Sequence, residues 1–130
     1  MPTELIRKGA AFEIRGWIIG GKCQVLDFLE ELASDPKSDY DRLDYLLTRT
    51  ADNGVLRNQQ QIRPLGDDIY EFKGTRTSRI LFFYDKGKII ICSHGFSGKR
   101  GSEKRDVKEQ IKKAAKIKEA YLKEQGETNG

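Results

Sequence analysis

Cysteine and histidine are scarce in this 130-residue chain, which has two Cys, Cys23 and Cys92, and a single His, His94. The cysteines stand far apart and form no CxxC pair, so the ligand count excludes a Cys/His zinc site. Two thiols in apolar surroundings instead predict reduced packing residues, as suits the cytoplasm. No apolar run approaches the roughly 20 residues that cross a bilayer. The start, Met1-Pro2-Thr3-Glu4, lacks the apolar segment of a signal peptide. The expectation is a cytoplasmic protein with no membrane partner, no metal and no internal repeat. Charge, by contrast, is plentiful: 34% of residues are charged and the net charge is +4. It is also lopsided. Residues 1–68 carry 9 Lys and Arg against 12 Asp and Glu, and residues 69–130 carry 15 against 8. A basic half attracts nucleic acid, an anionic membrane or an acidic protein, or is simply a solvated face. The length suits one domain over residues 1–130, with 1–9 and 124–130 expected to fray.

Hydrophobic periodicity divides the chain in the order β-α-α-β-β-β-β-α. Phe12, Ile14 and Trp17-Ile18-Ile19 predict a first strand, kinked or bulged at Gly16 and ended by Gly20-Gly21. From Lys22 the period lengthens. Val25, Leu26, Phe28, Leu29, Leu32 and Ala33 form a helical stripe that Asp35-Pro36 stops. Ser38 can cap a second helix carrying Leu43, Leu46, Leu47 and Thr50, with Asp39 and Asp41 at the positive end of its dipole. Asn53-Gly54 ends that helix. Strands are then expected at Gln61–Leu65, Ile69–Lys73, Arg79–Tyr84 and Ile89-Ile90-Ile91-Cys92. Pro64 marks an edge or strand end. Gly66-Asp67-Asp68 and Asp85-Lys86-Gly87-Lys88 read as turns. Tyr70 and Phe72 fall on one face of their strand, Glu71 and Lys73 on the other. Ser97-Gly98-Lys99-Arg100-Gly101 is a basic loop, and Ser102 can cap a final helix. Its expected core stripe is Val107, Ile111, Ala114, Ala115 and Leu122, widened by Ile117 and Tyr121. Helices and consecutive strands are segregated, so the fold class is α+β with a mainly antiparallel sheet.

The residues also carry a family likeness. Gly66-Asp67-Asp68-Ile69-Tyr70-Glu71-Phe72-Lys73 resembles the "lg.gLyElR" strand of the HigB and phage Gp49-like branch of the RelE/ParE toxin superfamily. Arg79-Ile80-Leu81-Phe82-Phe83-Tyr84 resembles its "yRvlyf" strand, and His94-Gly95-Phe96 its "lhgF" strand end. Gly21-Lys22-Cys23-Gln24-Val25-Leu26-Asp27-Phe28-Leu29 resembles its first helix. The likeness runs from about Phe12 to Leu122. Where that branch has "KKt" after the Phe and a Pro opening the last helix, this chain has Ser97-Gly98-Lys99-Arg100 and no Pro. Gly98-Lys99-Arg100 resembles the "GKR" of the RelE branch, without that branch's Tyr a turn later. The resemblance implies a type II toxin, a small endoribonuclease that cuts messenger RNA in the ribosomal A site without a cofactor. It implies the ribosome, mRNA and a cognate antitoxin as partners. The implied fold is RelE-like, a small twisted sheet with a two-helix hairpin on one face and a C-terminal helix.

Metal-free RNA cleavage uses the 2′-hydroxyl as internal nucleophile. It needs a base for that hydroxyl, cations for the charge developing on phosphate and an acid for the leaving 5′-oxygen. The catalytic candidates are Arg79, which stands at the family's Arg, Arg100 in its glycine-flanked loop, Lys73, and His94, whose unperturbed titration lies near neutrality. The RNA-binding candidates are Arg76, Lys99, Lys104, Lys108 and Lys112, the last three continuing with Lys116 as a stripe at every fourth residue. Each has a structural alternative. Arg79 can pair with Glu71 across strands, His94 can be a packed strand-end residue, Phe96 can be core, and the lysine stripe can be a solvated face. Three functional rivals stand beside the nuclease. A ParE-like toxin inhibits DNA gyrase and cuts nothing. A phage- or mobile-element-derived binding protein need not be toxic. A plain nucleic-acid-binding module would bind RNA without the ribosome.

Overall fold

A computed structural model describes residues 3–36, 38–54, 62–74, 78–97 and 103–129, by backbone alone at 103–106 and 125–129. In chain order the elements are β1 (Thr3–Lys8), β2 (Glu13–Ile19), β3 (Lys22–Cys23), α1 (Gln24–Ala33), α2 (Tyr40–Asn53), β4 (Ile62–Gly66), β5 (Ile69–Lys73), β6 (Ser78–Asp85), β7 (Ile89–Ser97) and α3 (Glu103–Asn129). The sheet order is β1-β2-β7-β6-β5-β4, and the short β3 pairs with β2. β2 and β7 run parallel, while the other pairs are antiparallel. The architecture is thus α+β with a mixed, mainly antiparallel sheet.

The period-2 alternation of the central strands feeds two cores. Ile14, Phe72, Ile80, Phe82, Ile90 and Cys92 face α1 and α2, meeting Val25, Leu29, Leu43, Leu46 and Leu47. Trp17, Ile69, Leu81, Phe83 and Ile91 face the opposite side, where Ala114, Ile117 and Tyr121 of α3 cover them. With both faces covered, the continuously apolar start of β7 is explained. Gly95 lets α1 close on β7: a Cβ there would stand 2.2 Å from Phe28 Cδ2. On β4–β5, the turn residues Asp67 and Asp68 both take positive φ, 54° and 60°, which fits a tight hairpin of the mirror-image type. Both cysteines are free and buried, and burial pushes the Cys92 thiol far up.

Several expectations need correction. Residues 3–8 do not fray but form edge strand β1, tied to α2 by an Arg7–Asp44 ion pair of 2.6 Å. Gly16 is no bulge. The register shift lies in β1, between Leu5 and Arg7, and Gly16 is small because a Cβ would meet Cys23 Sγ at 2.5 Å. α3 runs on to Asn129. Its buried seam is Ala114, Ile117 and Tyr121, with Val107, Ile111 and Ala115 only half-buried and Leu122 exposed. Tyr121 anchors this seam by donating its hydroxyl to Asp85 Oδ2. Ser38 precedes the helix cap, Asp39, yet its Oγ accepts from the Tyr40 N–H at 3.2 Å and so does cap the first turn. No described helix is long and apolar enough to cross a membrane.

Candidate functional site

Cross-strand register places the polar residues of the α3-side face in two adjacent rows. Arg63 of β4 pairs with Glu71 of β5, Glu71 with Leu81 of β6, and Leu81 with His94 of β7. One row over, Lys73 pairs with Arg79, and Arg79 with Phe96. Partners across a sheet share a face, as do residues two apart along a strand. The apolar centre of this face therefore gives way to charge at the end of the sheet where the β5–β6 connection leaves.

Glu71 is the hub of that charge and is 0% exposed. Its Oε1 accepts from Arg63 Nε at 2.8 Å and lies 2.6 Å from Arg63 Nη2. Its Oε2 lies 3.6 Å from Arg79 Nη1, beyond hydrogen-bond reach, and has no hydrogen-bond partner among the described residues. Arg79 is nearly buried, its side chain 11% exposed, whereas Arg63 keeps 38% exposure. Arg63, Lys73 and Arg79 outnumber the two carboxylates at this end of the sheet, Glu71 and the buried Asp39, whose Oδ2 accepts from the Ser78 N–H at 3.1 Å. Glu71, which the sequence suggests as Arg79's structural partner, does face it.

His94 is 2% exposed, and both ring nitrogens face partners. Nδ1 lies 3.0 Å from Ser93 Oγ and Nε2 lies 2.6 Å from Gln110 Oε1 of α3. The Gln carbonyl can only accept, so Nε2 carries the proton in this arrangement. Burial pushes the imidazole down to about 4, and the nearby Lys113 charge adds to the effect against the Gln110 bond. The ring stacks near Phe96, centroids 5.9 Å apart. His94 thus joins sheet to helix as a neutral group. Because its folded pKa lies below the usual 6.5, the unfolded chain binds the extra proton first as pH falls. The stability it contributes is complete above about pH 6.5 and is lost toward pH 4. Wild type is expected to lose about 2 kcal/mol more than His94→Gln between pH 7 and pH 5. Urea unfolding at the two pH values checks this, and equal losses contradict it.

The remaining candidates divide. Lys108, Lys112 and Lys116 are exposed on α3, and Lys112, Lys113 and Lys116 border a groove of about 620 Å³ floored by Trp17, Ile19, Ile117 and Ala120. Lys104 is described by backbone alone. Arg76, Lys99 and Arg100 lie outside the described residues. Among the described residues, Gly74 N–H donates to Ser78 O at 2.8 Å and Ser78 pairs with Ser97, so these strand ends lie together at the end of the sheet that carries Lys73 and Arg79. No group of three or more metal-ligating side chains occurs among the described residues. Arg63 and Gln110 are the site residues that the sequence reading missed.

Residues 30–119 match the family model of phage derived protein Gp49-like (DUF891). The chain belongs to this family. It is a RelE-like toxin family, associated with toxin–antitoxin toxins. The matched span of this Gp49-like chain includes every residue of both polar rows. Among curated proteins, none matches the sequence.

Proposed function

We propose that this Gp49-like protein is a toxin with a RelE-like fold of the HigB type, acting in the cytoplasm as a ribosome-dependent mRNA endoribonuclease. The observation that carries this reading is the cationic end of the sheet, where Arg63 and Arg79 flank the buried Glu71 carboxylate and Lys73 pairs with Arg79 across strands. Such a cluster suits a phosphodiester whose charge grows as the 2′-hydroxyl attacks. In this reading Arg79 and Lys73 stabilise that charge. Arg100, Arg76 and Lys99 are assigned to the same phosphate chemistry on the sequence alone. His94 serves by position: it is 2% exposed, both ring nitrogens are engaged by Ser93 and Gln110, and a pKa of about 4 keeps it from being an imidazolium acid at pH 7. The test is purified protein incubated with mRNA on programmed ribosomes, beside a gyrase supercoiling assay. Cleavage dependent on ribosomes supports the reading. Gyrase inhibition without cleavage transfers the protein to the ParE-like rival.

The exposed lysines of α3 fit an RNA or ribosomal backbone. Lys108→Ala with Lys112→Ala is expected to leave low-salt cleavage intact while flattening the salt dependence of ribosome binding. The log–log slope falls by about 0.7 for each single-strand phosphate that is no longer neutralised. An unchanged slope makes the stripe a solvated face.

The family's pairing with an antitoxin points to an acidic partner segment, and the groove beside α3 offers it an apolar floor with a basic rim. Ile19, 44% exposed, is the apolar contact such a segment would cover. Co-expression with the product of the adjacent gene should yield a complex that Ile19→Asp weakens. A complex indifferent to Ile19→Asp places the antitoxin elsewhere.

A further inference from the structure

Glu71 presents an unusual arrangement: a fully buried carboxylate held hard on one oxygen and left open on the other. Burying a charge is unfavourable unless it is paired, and replacing a buried ion pair by apolar side chains is often neutral or stabilising. Neighbouring positions on the same face show that it readily accommodates apolar residues, with Ile69, Leu81 and Ile91 all fully buried. Packing alone therefore gives little reason for the ion cluster, and an orphaned acceptor in a buried setting calls for a specific explanation.

Geometry supplies one. Arg63 spends two donors on Oε1, which fixes the plane of the carboxylate and leaves Oε2 aimed at Arg79, 3.6 Å away. Arg79 carries a long, rotamer-rich side chain, and its planar fork has donors for a carboxylate on one edge and a phosphate on another. At 0% exposure Glu71 cannot itself reach a substrate. Contacts of this kind are commonly loose in the free protein and tighten in the complex.

The geometry points to Glu71 as a positioning residue, oriented by Arg63, that seats Arg79 against its Oε2 so that Arg79's other edge takes the scissile phosphodiester of RNA. This rests on the nuclease reading and extends it to Arg63 and Glu71. Arg63 on β4 orients the carboxylate, Glu71 on β5 orients the guanidinium, and Arg79 on β6 meets the phosphate.

The experiment is a double-mutant cycle of Glu71→Gln and Arg79→Ala, read as single-turnover cleavage on programmed ribosomes. Glu71→Gln alone should lower the maximal rate by about 10-fold to 10²-fold, as misplacing a catalytic group does. The half-saturating ribosome concentration should move by less than about twofold. In the Arg79→Ala background Glu71→Gln should have no further effect, because its action passes through Arg79. Independent, multiplying losses would show a merely structural role and overturn the proposal, as would an undiminished rate in Glu71→Gln. Arg63→Lys, which keeps the charge but loses the two-donor grip, should show the same rate-only defect; a normal rate there removes Arg63 from the chain. Should Glu71→Gln fail to fold, Arg63→Lys and the wild type still decide the matter. Hydrogen exchange at arginine Nε separates this proposal from the nuclease reading. In free wild type the Arg63 Nε–H should be protected beyond the other arginines. Protection without any ribosomal cleavage would sink the nuclease reading and the RNA role together. Cleavage without protection would sink the positioning alone.

Discussion

Arg79→Ala is expected to cut single-turnover cleavage of ribosome-bound mRNA by about 10²–10³-fold, roughly 3–4 kcal/mol, while ribosome binding stays near wild type. The separation follows from when the interaction matters. Negative charge on the phosphate grows as the 2′-oxygen attacks, so a cation placed there is worth more in the transition state than in the bound ground state. Folding should survive, because Arg63 at 2.6 Å still compensates the Glu71 charge when Arg79 is gone. Arg79→Lys should fall between, keeping the charge but losing the planar fork. Circular dichroism confirms the fold before rates are compared. A folded Arg79→Ala protein that cleaves at the wild-type rate would remove Arg79 from the chemistry.

Phe82→Ala should have the largest effect on stability, a loss of about 3–5 kcal/mol. Phe82 is fully buried in β6 on the α1–α2 side of the sheet. Its ring stacks on Phe72 at a centroid distance of 4.2 Å and meets Tyr70 and Tyr84 at 5.7 Å and 5.6 Å. Neighbours fixed on paired strands and on two helices cannot collapse into the space, so the missing ring's packing and the cavity it leaves both count. Whole-domain stability is commonly only about 5–15 kcal/mol, so this one ring decides much of it. Leu122→Ala serves as the contrast, since Leu122 is half exposed and should change stability by no more than about 0.5 kcal/mol. Urea unfolding gives both values. A Phe82→Ala loss below about 1 kcal/mol would mean that the aromatic cluster packs far more loosely than its geometry indicates.

What could be read without coordinates was whatever repeats along the chain. The helical stripes of Val25–Ala33 and Leu43–Thr50 and the alternation of Tyr70, Glu71, Phe72 and Lys73 each announce a face. β1 escaped because its pattern is broken by the irregularity between Leu5 and Arg7, and an edge strand buries too little to show alternation. Gly16 was misread because a strand glycine signals either a bulge or a close approach, and only the approach of Cys23 and Ile6 distinguishes them. Arg63 was missed for a related reason. Its role depends on register across a hairpin: the Asp67-Asp68 turn pairs Gly66 with Ile69, and the irregularity between Pro64 and Gly66 then shifts the pairing so that Arg63 stands opposite Glu71. The turn alone would set Arg63 opposite Phe72, so the turn residues do not announce the pair. His94 stood out for its titration, yet its surroundings come from Gln110, 16 residues away on another element. Burial and partner, rather than residue type, determine its state.

The proposed activity is cleavage of messenger RNA on translating ribosomes through the Arg79 cluster. Mapping the 5′ ends of messenger fragments in cells expressing wild type or Arg79→Ala tests it most directly. New 5′ ends are expected within translated reading frames, absent when translation is blocked before induction and absent in Arg79→Ala. Fragmentation that persists in folded Arg79→Ala, or growth arrest by wild type with intact messages, would contradict it.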